Sequence, residues 1–142
     1  MFNDSSMMQT INILHQGLNT ASLRHEVISH NIANVNTPGY KSRQVNFETH
    51  LRSALHEEGE LESISTNPRH IHFGGWPDPS NVGAEIVVND DLFYRNDTNS
   101  VDIDQETSIM AKNTIMYNAL STNIGGFFRT LREVIRSGAG GA

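Results

Sequence analysis

Seven histidines and sixteen carboxylates are the residues of this 142-residue chain that could hold a metal or move protons, and their spacing decides whether they do. His25-Glu26 is followed by His30, a five-residue step. The zinc-protease motif needs a four-residue step to put both imidazoles on one helix face, so this pair is out of phase. His25 reads instead as a packed or interfacial histidine. His70 and His72 could share one face of a strand, but no third ligand stands near them in sequence. Asp97-Thr98-Asn99 opens like a calcium loop, yet Val101 and Asp102 occupy the positions where an oxygen ligand and a glycine belong. The cluster Glu57-Glu58-Gly59-Glu60 has no basic partner beside it and reads as a solvated loop. There is no glycine-rich phosphate loop between a strand and a helix, and no nucleophile elbow. With no cysteine, disulfides, zinc thiolates and cysteine nucleophiles are excluded together. No catalytic residue, metal ligand or cofactor is assigned, and the chain reads as a non-enzyme.

Composition narrows the class further. At 37% hydrophobic the chain is lean for a globular domain, so part of its apolar surface is expected to be buried against other molecules. Sixteen acidic residues against ten basic ones give a formal charge of −6, with the basic residues scattered singly. Nucleic-acid binding, which needs clustered Lys and Arg, is not expected. No apolar run reaches the roughly 20 residues needed to span a bilayer. Residues Met1 to Thr10 carry neither a basic n-region nor an apolar h-region, so no cleavable secretory signal is expected there.

The positioning elements are two strongly patterned segments. In the first, Met7, Ile11, Leu14, Leu18, Ala21, Ile28, Ile32 and Val35 recur in alternating steps of three and four, with His25 filling the gap. That is the seam of a helix packed on other helices, predicted from about Met7 to Ala33 and about 40 Å long. It ends at Asn34-Val35-Asn36-Thr37-Pro38-Gly39, where Pro38 and Gly39 suit the two central positions of a type II turn. In the second segment, Ile103, Met110, Tyr117, Leu120, Ile124, Phe127, Leu131 and Val134 keep the same alternation, with Glu106 and Asn113 as polar interruptions. Ile109, Met116, Phe128 and Ile135 widen the stripe, which suits packing among several helices. Asp102 is the expected N-cap, with Gln105 three residues on. Gly138 stands where a C-terminal cap belongs, and Gly125-Gly126 predicts a bend or a close helix approach.

Between these segments the chain changes character. Phe47, Leu51 and Leu55 predict a short helix ending at Gly59, and Ala84–Val88 with Leu92–Arg95 predict a β-hairpin around Asn89-Asp90-Asp91. The fold class read from the sequence is mainly α: long N- and C-terminal helices packed as a coiled-coil-like pair, with a small irregular, β-hairpin insert. The expected division is residues 1–47 for the first helix and its turn, 48–99 for the insert, and 100–142 for the second helix and a frayed tail.

The string Ser29-His30-Asn31-Ile32-Ala33-Asn34-Val35-Asn36-Thr37-Pro38-Gly39-Tyr40-Lys41 resembles the N-terminal signature of the flagellar rod, hook and hook-associated axial proteins. Its carriers are Asn31, Ala33, Asn34, Asn36, Thr37, Pro38, Gly39 and Tyr40. Asn99-Ser100-Val101-Asp102-Ile103-Asp104-Gln105-Glu106, leading to Met110-Ala111-Lys112-Asn113 and Tyr117, looks like the start of the C-terminal helix in the same family. Hook and distal rod proteins are longer, whereas this chain is short. Asn67-Pro68-Arg69-His70-Ile71 and the spacing from Lys112-Asn113 to Tyr117 look more like the proximal rod members than like the neighbouring short rod protein FlgC.

The resemblance implies a structural subunit of the basal-body rod, built into a tubular axial structure through its terminal helices. The alternatives are another short rod protein such as FlgC, or a general helical adaptor. The implied partners are the chain itself, other rod proteins, the small basal-body protein FliE, the membrane ring and the export gate. The implied location is the basal body on the periplasmic side of the inner membrane, reached by type III export without cleavage. In that group a phenylalanine is often followed four residues later by an apolar residue, whereas here Phe2 is followed by Ser6, with Met7 and Met8 next. The assembly seam is expected at Leu14, Leu18, Ile28, Ile32, Tyr117, Leu120, Ile124 and Leu131.

Overall fold

The computed structural model describes residues 4–56, 82–89 and 97–139. Helix α1 runs over Asp4–Ala33, strand β1 over Arg43–Asn46, helix α2 over Glu48–His56, strand β2 over Glu85–Val88 and helix α3 over Ile103–Ala139. The two long helices, 30 and 37 residues, are about 45 and 55 Å long at 1.5 Å per residue. They lie antiparallel: Gly17 meets Leu120, Asn113 bonds Ala21 and Asn31 bonds Glu106, so the partner's number falls as α1 ascends. The mainly helical pair with a small antiparallel sheet between its members is the architecture the sequence pattern predicts.

Each terminus has a local cause. The last turn of α1 tightens as the Asn34 amide donates to both His30 O and Asn31 O, at 3.2 and 3.1 Å. The chain then turns through Thr37-Pro38-Gly39-Tyr40: the Tyr40 amide donates to Thr37 O, and Gly39 has φ 72°, as a type II turn requires. Asp102 caps α3, its Oδ1 accepting the amides of Asp104 and Gln105 at 2.9 and 3.3 Å. Helix α2 begins after Phe47, whose carbonyl accepts the Leu51 amide; the end expected at Gly59 lies outside the described residues.

Two local expectations are corrected, and a third falls partly outside the described residues. The Ala84–Val88 segment does form a strand, but β2 pairs with β1 in the register Arg43↔Val88 to Asn46↔Glu85. Leu92–Arg95, the partner expected from proximity, lies outside the described residues. Gly138 lies inside the last turn of α3 and does not cap it. Among the described residues no close approach exists at Gly125-Gly126, where an added Cβ would meet none of their atoms within 4 Å. Gly17 is the glycine that permits close packing, because a Cβ there would come within 3.2 Å of Leu120 Cδ1.

Among the described residues the buried apolar set is small: Ala21, Val27 and Ile28 on α1, Val45 and Phe47 at β1, Ala54 on α2 and Val101 before α3. Among the same described residues an equal number of buried ones are polar: Thr20, Asn31, Ser42, Asn99, Ser100, Glu106 and Asn113. A core so rich in polar groups holds together only if those groups find partners. No helix among the described residues is long and apolar enough to cross a membrane.

Candidate functional site

The end of α1, the turn after it, β1 and the start of α3 are tied by two fully buried asparagines, Asn31 and Asn99, each 0% exposed. Asn31 spends all four of its hydrogen-bonding positions. Its Nδ2 donates to Arg43 O at 2.8 Å and to Glu106 Oε1 at 2.9 Å. Its Oδ1 accepts from the Arg43 amide at 3.0 Å and from the Tyr40 hydroxyl at 3.4 Å. The ladder alternation explains why Arg43 is available. Asn89 N–H donates to Ser42 O, so the hydrogen-bonded pairs fall on the even-numbered residues of β1. Arg43 and Val45 therefore turn their backbone groups away from β2 and toward α1. The Asn31 carboxamide meets Arg43 as a neighbouring strand would, and Arg24 donates to Val45 O at 3.1 Å while pairing with Glu48 at 2.8 Å. Helix α1 thus closes the outer edge of β1 with side chains.

Asn99 does the equivalent for the turn. Its Nδ2 donates toward the carbonyls of Asn34, Val35 and Thr37 at 3.1, 3.1 and 2.8 Å, and its Oδ1 accepts the Val101 amide at 2.7 Å. These carbonyls are freed as α1 unwinds, so a residue 62 to 65 positions away completes the helix end. Gly39 N–H donates to Asp97 O, Ser100 N–H to Tyr40 O, and Ser42 N–H to Ser100 Oγ.

Of the motif residues, Asn31 and Tyr40 meet in this knot and Gly39 makes the turn. Asn34 donates to His30 O at 2.8 Å and accepts from Thr37 Oγ1. Ala33, Asn36 and Pro38 are exposed, and Asn36 makes no side-chain bond to the described residues. Glu106 and Asn113, interruptions of the apolar pattern, are seam residues in their own right. Asn113 donates to Ala21 O at 2.8 Å, so both fix the α1–α3 register. Their positions in the three-four alternation were the available signal, since a polar side chain at a seam position must find a partner across it. Asn99, Ser42 and Ser100 carry no such periodic signal.

Burial pushes the Glu106 carboxyl above its usual range; the Asn31 amide pulls it down and the Asp102 charge pushes it up again. A raised carboxyl binds its proton more tightly in the fold than in the open chain. Stability associated with Glu106 is therefore full below the ordinary glutamate value and falls as pH climbs from there to the raised value. Glu106→Gln keeps an acceptor for Asn31 and removes the charge. It is expected to stabilise the chain at pH 7 by about 1 kcal/mol and to flatten this acidic-side slope in urea titrations. Equal stability of the two proteins at pH 7 would count against a costly buried charge.

The eight expected seam residues are differently placed. Ile28 is buried; Leu14, Leu18, Ile32, Leu120 and Ile124 are half-buried; Tyr117 and Leu131 are exposed at 44% and 37%. On α1 the face turned to the rest of the chain is Gly17, Thr20, Ala21, Arg24, Val27, Ile28 and Asn31. That face lies about a third of a turn around the helix from the apolar stripe of Ile11, Leu14, Leu18 and Ile32. The stripe therefore flanks the α1–α3 contact and does not fill it. Beside it, Ala21, Ser22 and His25 on α1 and Asn113, Thr114 and Tyr117 on α3 line a groove of about 270 Å³. His25 is exposed on its rim, and no cluster of three metal-ligating side chains occurs among the described residues.

The profile of a family described as "Flagella basal body rod protein" matches residues 11–41, all but the first two turns of α1 together with the turn that Asn99 holds. A flagellar basal body rod protein FlgB of Bacillus subtilis is 36% identical over 129 residues, covering 91% of this chain and 95% of the relative. FlgB of Proteus mirabilis is 30% identical over 140 residues, covering 91% and 95%. FlgB of Borreliella burgdorferi is 28% identical over 130 residues, covering 90% and 96%.

Proposed function

The chain belongs to the FlgB family of flagellar basal body rod proteins, and from that premise we propose how it builds the rod as a structural subunit. The observation that carries the mechanism is the open apolar flank of the α1–α3 pair. Leu14, Leu18, Ile32, Tyr117, Ile124 and Leu131 all keep accessible surface in the single chain. Neighbouring subunits that cover them gain roughly 1.5–3 kcal/mol for each large apolar side chain fully buried. The Asn31–Asn99 knot sets the angle at which the two helices are offered, and assembly completes a core that the chain alone leaves half covered. A contact between unlike surfaces that does not close on itself extends as a helix, the symmetry a rod requires.

Family membership supports finer assignments. We place the chain in the proximal rod, in contact with other rod proteins, with FliE, and with the membrane ring and export gate, on the periplasmic side of the inner membrane. Its role is mechanical and architectural, with no reaction assigned to it. Deleting the gene and imaging basal bodies tests this reading. Rings should remain while rod and hook are missing and swimming is lost, with all three restored by a plasmid copy. Intact rods and normal swimming in the deletion strain would overturn it.

A further inference from the structure

Each long helix has a polar residue interrupting its apolar seam, and the two interruptions meet. On α1 it is His25, between Ala21 and Ile28; on α3 it is Asn113, between Met110 and Tyr117. Both line the groove of about 270 Å³ beside the open flank. Asn113 is 4% exposed, and half of its carboxamide is unsatisfied. Its Nδ2 donates to Ala21 O at 2.8 Å, which fixes the orientation of the amide, and its Oδ1 accepts from none of the described residues. The groove's own donors do not serve it. The Thr114 hydroxyl donates to Met110 O on its own helix, and the His25 ring and the Ser22 and Tyr117 hydroxyls bond none of the described residues. A buried acceptor without a donor is costly, so this one marks a place where a donor is supplied from outside.

The surroundings select the donor. Glu26, exposed and with only His30 near it at 3.8 Å, stands one turn beyond Ser22 on the groove side of α1. Lys112 is turned about half way round α3 from Thr114. The rim is therefore negative, the floor is neutral, and Tyr117 offers an aromatic face. A guanidinium suits all three, being flat, weakly hydrated and rich in donors. On α3, Arg129, Arg132 and Arg136 fall within about 60° of one another, exposed and paired with no described residue. Phe128, Leu131 and Ile135 are exposed in the adjoining row. These arginines do not reach the groove of their own chain, because Arg132 lies fifteen residues beyond Tyr117, about 22 Å along α3. Resting on the rod reading above, we propose that the groove at Asn113 receives Arg132 of a second copy, whose Phe128, Leu131 and Ile135 lie along the open apolar flank. One polar contact in an otherwise apolar flank fixes register, since any slip encloses Asn113 Oδ1 unsatisfied. Groove and arginine row are unlike surfaces, so the contact leaves one of each free after every addition.

The chain has no cysteine, so an introduced pair reports the contact without background. Two differently tagged full-length chains, one with Ser22→Cys on the groove rim and one with Glu133→Cys beside Arg132, are expressed together in a strain lacking the native gene. Basal bodies are then isolated under mild oxidation. A disulfide-linked dimer is expected, because the bond forms only where the two backbones come within about 7 Å. None is expected with Ala111→Cys, on the far side of α3, in place of Glu133→Cys. Adding Arg132→Met, which keeps the stem and removes the donors, should lower the dimer yield about tenfold, as loss of a charge-assisted hydrogen bond does. Arg132→Lys keeps a donor and should lose less. Arg132 is exposed, so neither change should alter the far-ultraviolet helical signal of the purified chain. Where Ser22→Cys stops the rod from building, Thr114→Cys on the opposite rim takes its place. Cells that swim but give no linked dimer, or a yield that Arg132→Met leaves unchanged, would overturn this inference and leave the rod reading standing. A dimer formed by Ser22→Cys chains alone would assign the groove to a two-fold contact and overturn it as well. A strain lacking the gene that still builds rods would instead overturn the rod reading.

Discussion

Asn31→Ala should destabilise the chain by about 3–4 kcal/mol, the largest loss expected from any single truncation outside the apolar core. The reason is the number of groups it orphans. Arg43 loses partners for both its N–H and its C=O, Tyr40 loses an acceptor, and Glu106 loses its hydrogen-bonding donor. Each buried polar group left unpaired costs about 1–3 kcal/mol, and the partly exposed Arg43 recovers some of this by binding water. Against a total stability of about 5–15 kcal/mol for a small domain, the remainder is decisive.

Asn31→Asp separates hydrogen bonding from packing. It keeps the shape and the acceptor for Arg43 N–H but cannot donate when ionised, and it sets a second carboxylate against Glu106. Its stability should fall further than that of the alanine variant at pH 7 and recover as the pH is lowered, because one proton shared between the carboxylates removes the repulsion. Urea denaturation followed by circular dichroism at pH 7 and pH 5 reads both variants. A loss under about 1 kcal/mol for Asn31→Ala would mean that water fills the site at little cost and that the knot does not hold the helices.

Much of this architecture is legible in the sequence because its signals are local. Ala33 ends α1 where Pro38 and the asparagines require it to, Asp102 caps α3, and Ala84–Val88 supplies a strand. The pairing of β2 with β1 was not legible, because it depends on Asn31 and Arg24 holding β1 from its far side, at separations of 12 and 21 residues. The intrachain face of α1 only partly coincides with the predicted stripe, sharing Ala21 and Ile28 with it, for a related reason. Periodicity selects the most apolar stripe, whereas α1 meets α3 and β1 through Gly17, Thr20, Ala21, Arg24 and Asn31, small or hydrogen-bonding residues that allow close approach. The apolar stripe that periodicity selected is real, but within one chain it has no complete partner. A strongly apolar stripe left at the flank of a finished contact is what a subunit needs and what an isolated globular domain avoids.

Leu18→Asp and Ile124→Asp follow from that distinction and should each abolish incorporation into the rod while leaving the isolated chain folded. Both side chains are half-buried, so in the single chain an aspartate at either position can turn its carboxylate into water at a cost of about 1 kcal/mol. Once a neighbour covers the flank, the same carboxylate is enclosed without a partner, and several kcal/mol of desolvation are added to the lost apolar burial. Ile28→Asp is the control. Ile28 is 3% exposed in the single chain, so a charge there should unfold the monomer itself. Circular dichroism of the purified variants, together with basal-body imaging and swimming assays of strains carrying them, distinguishes the cases. If Leu18→Asp unfolds the monomer as Ile28→Asp does, the stripe serves only the intrachain pair. If Leu18→Asp and Ile124→Asp strains build normal rods, neighbouring subunits do not cover this flank, and the contacts that build the rod lie on another face of the helical pair.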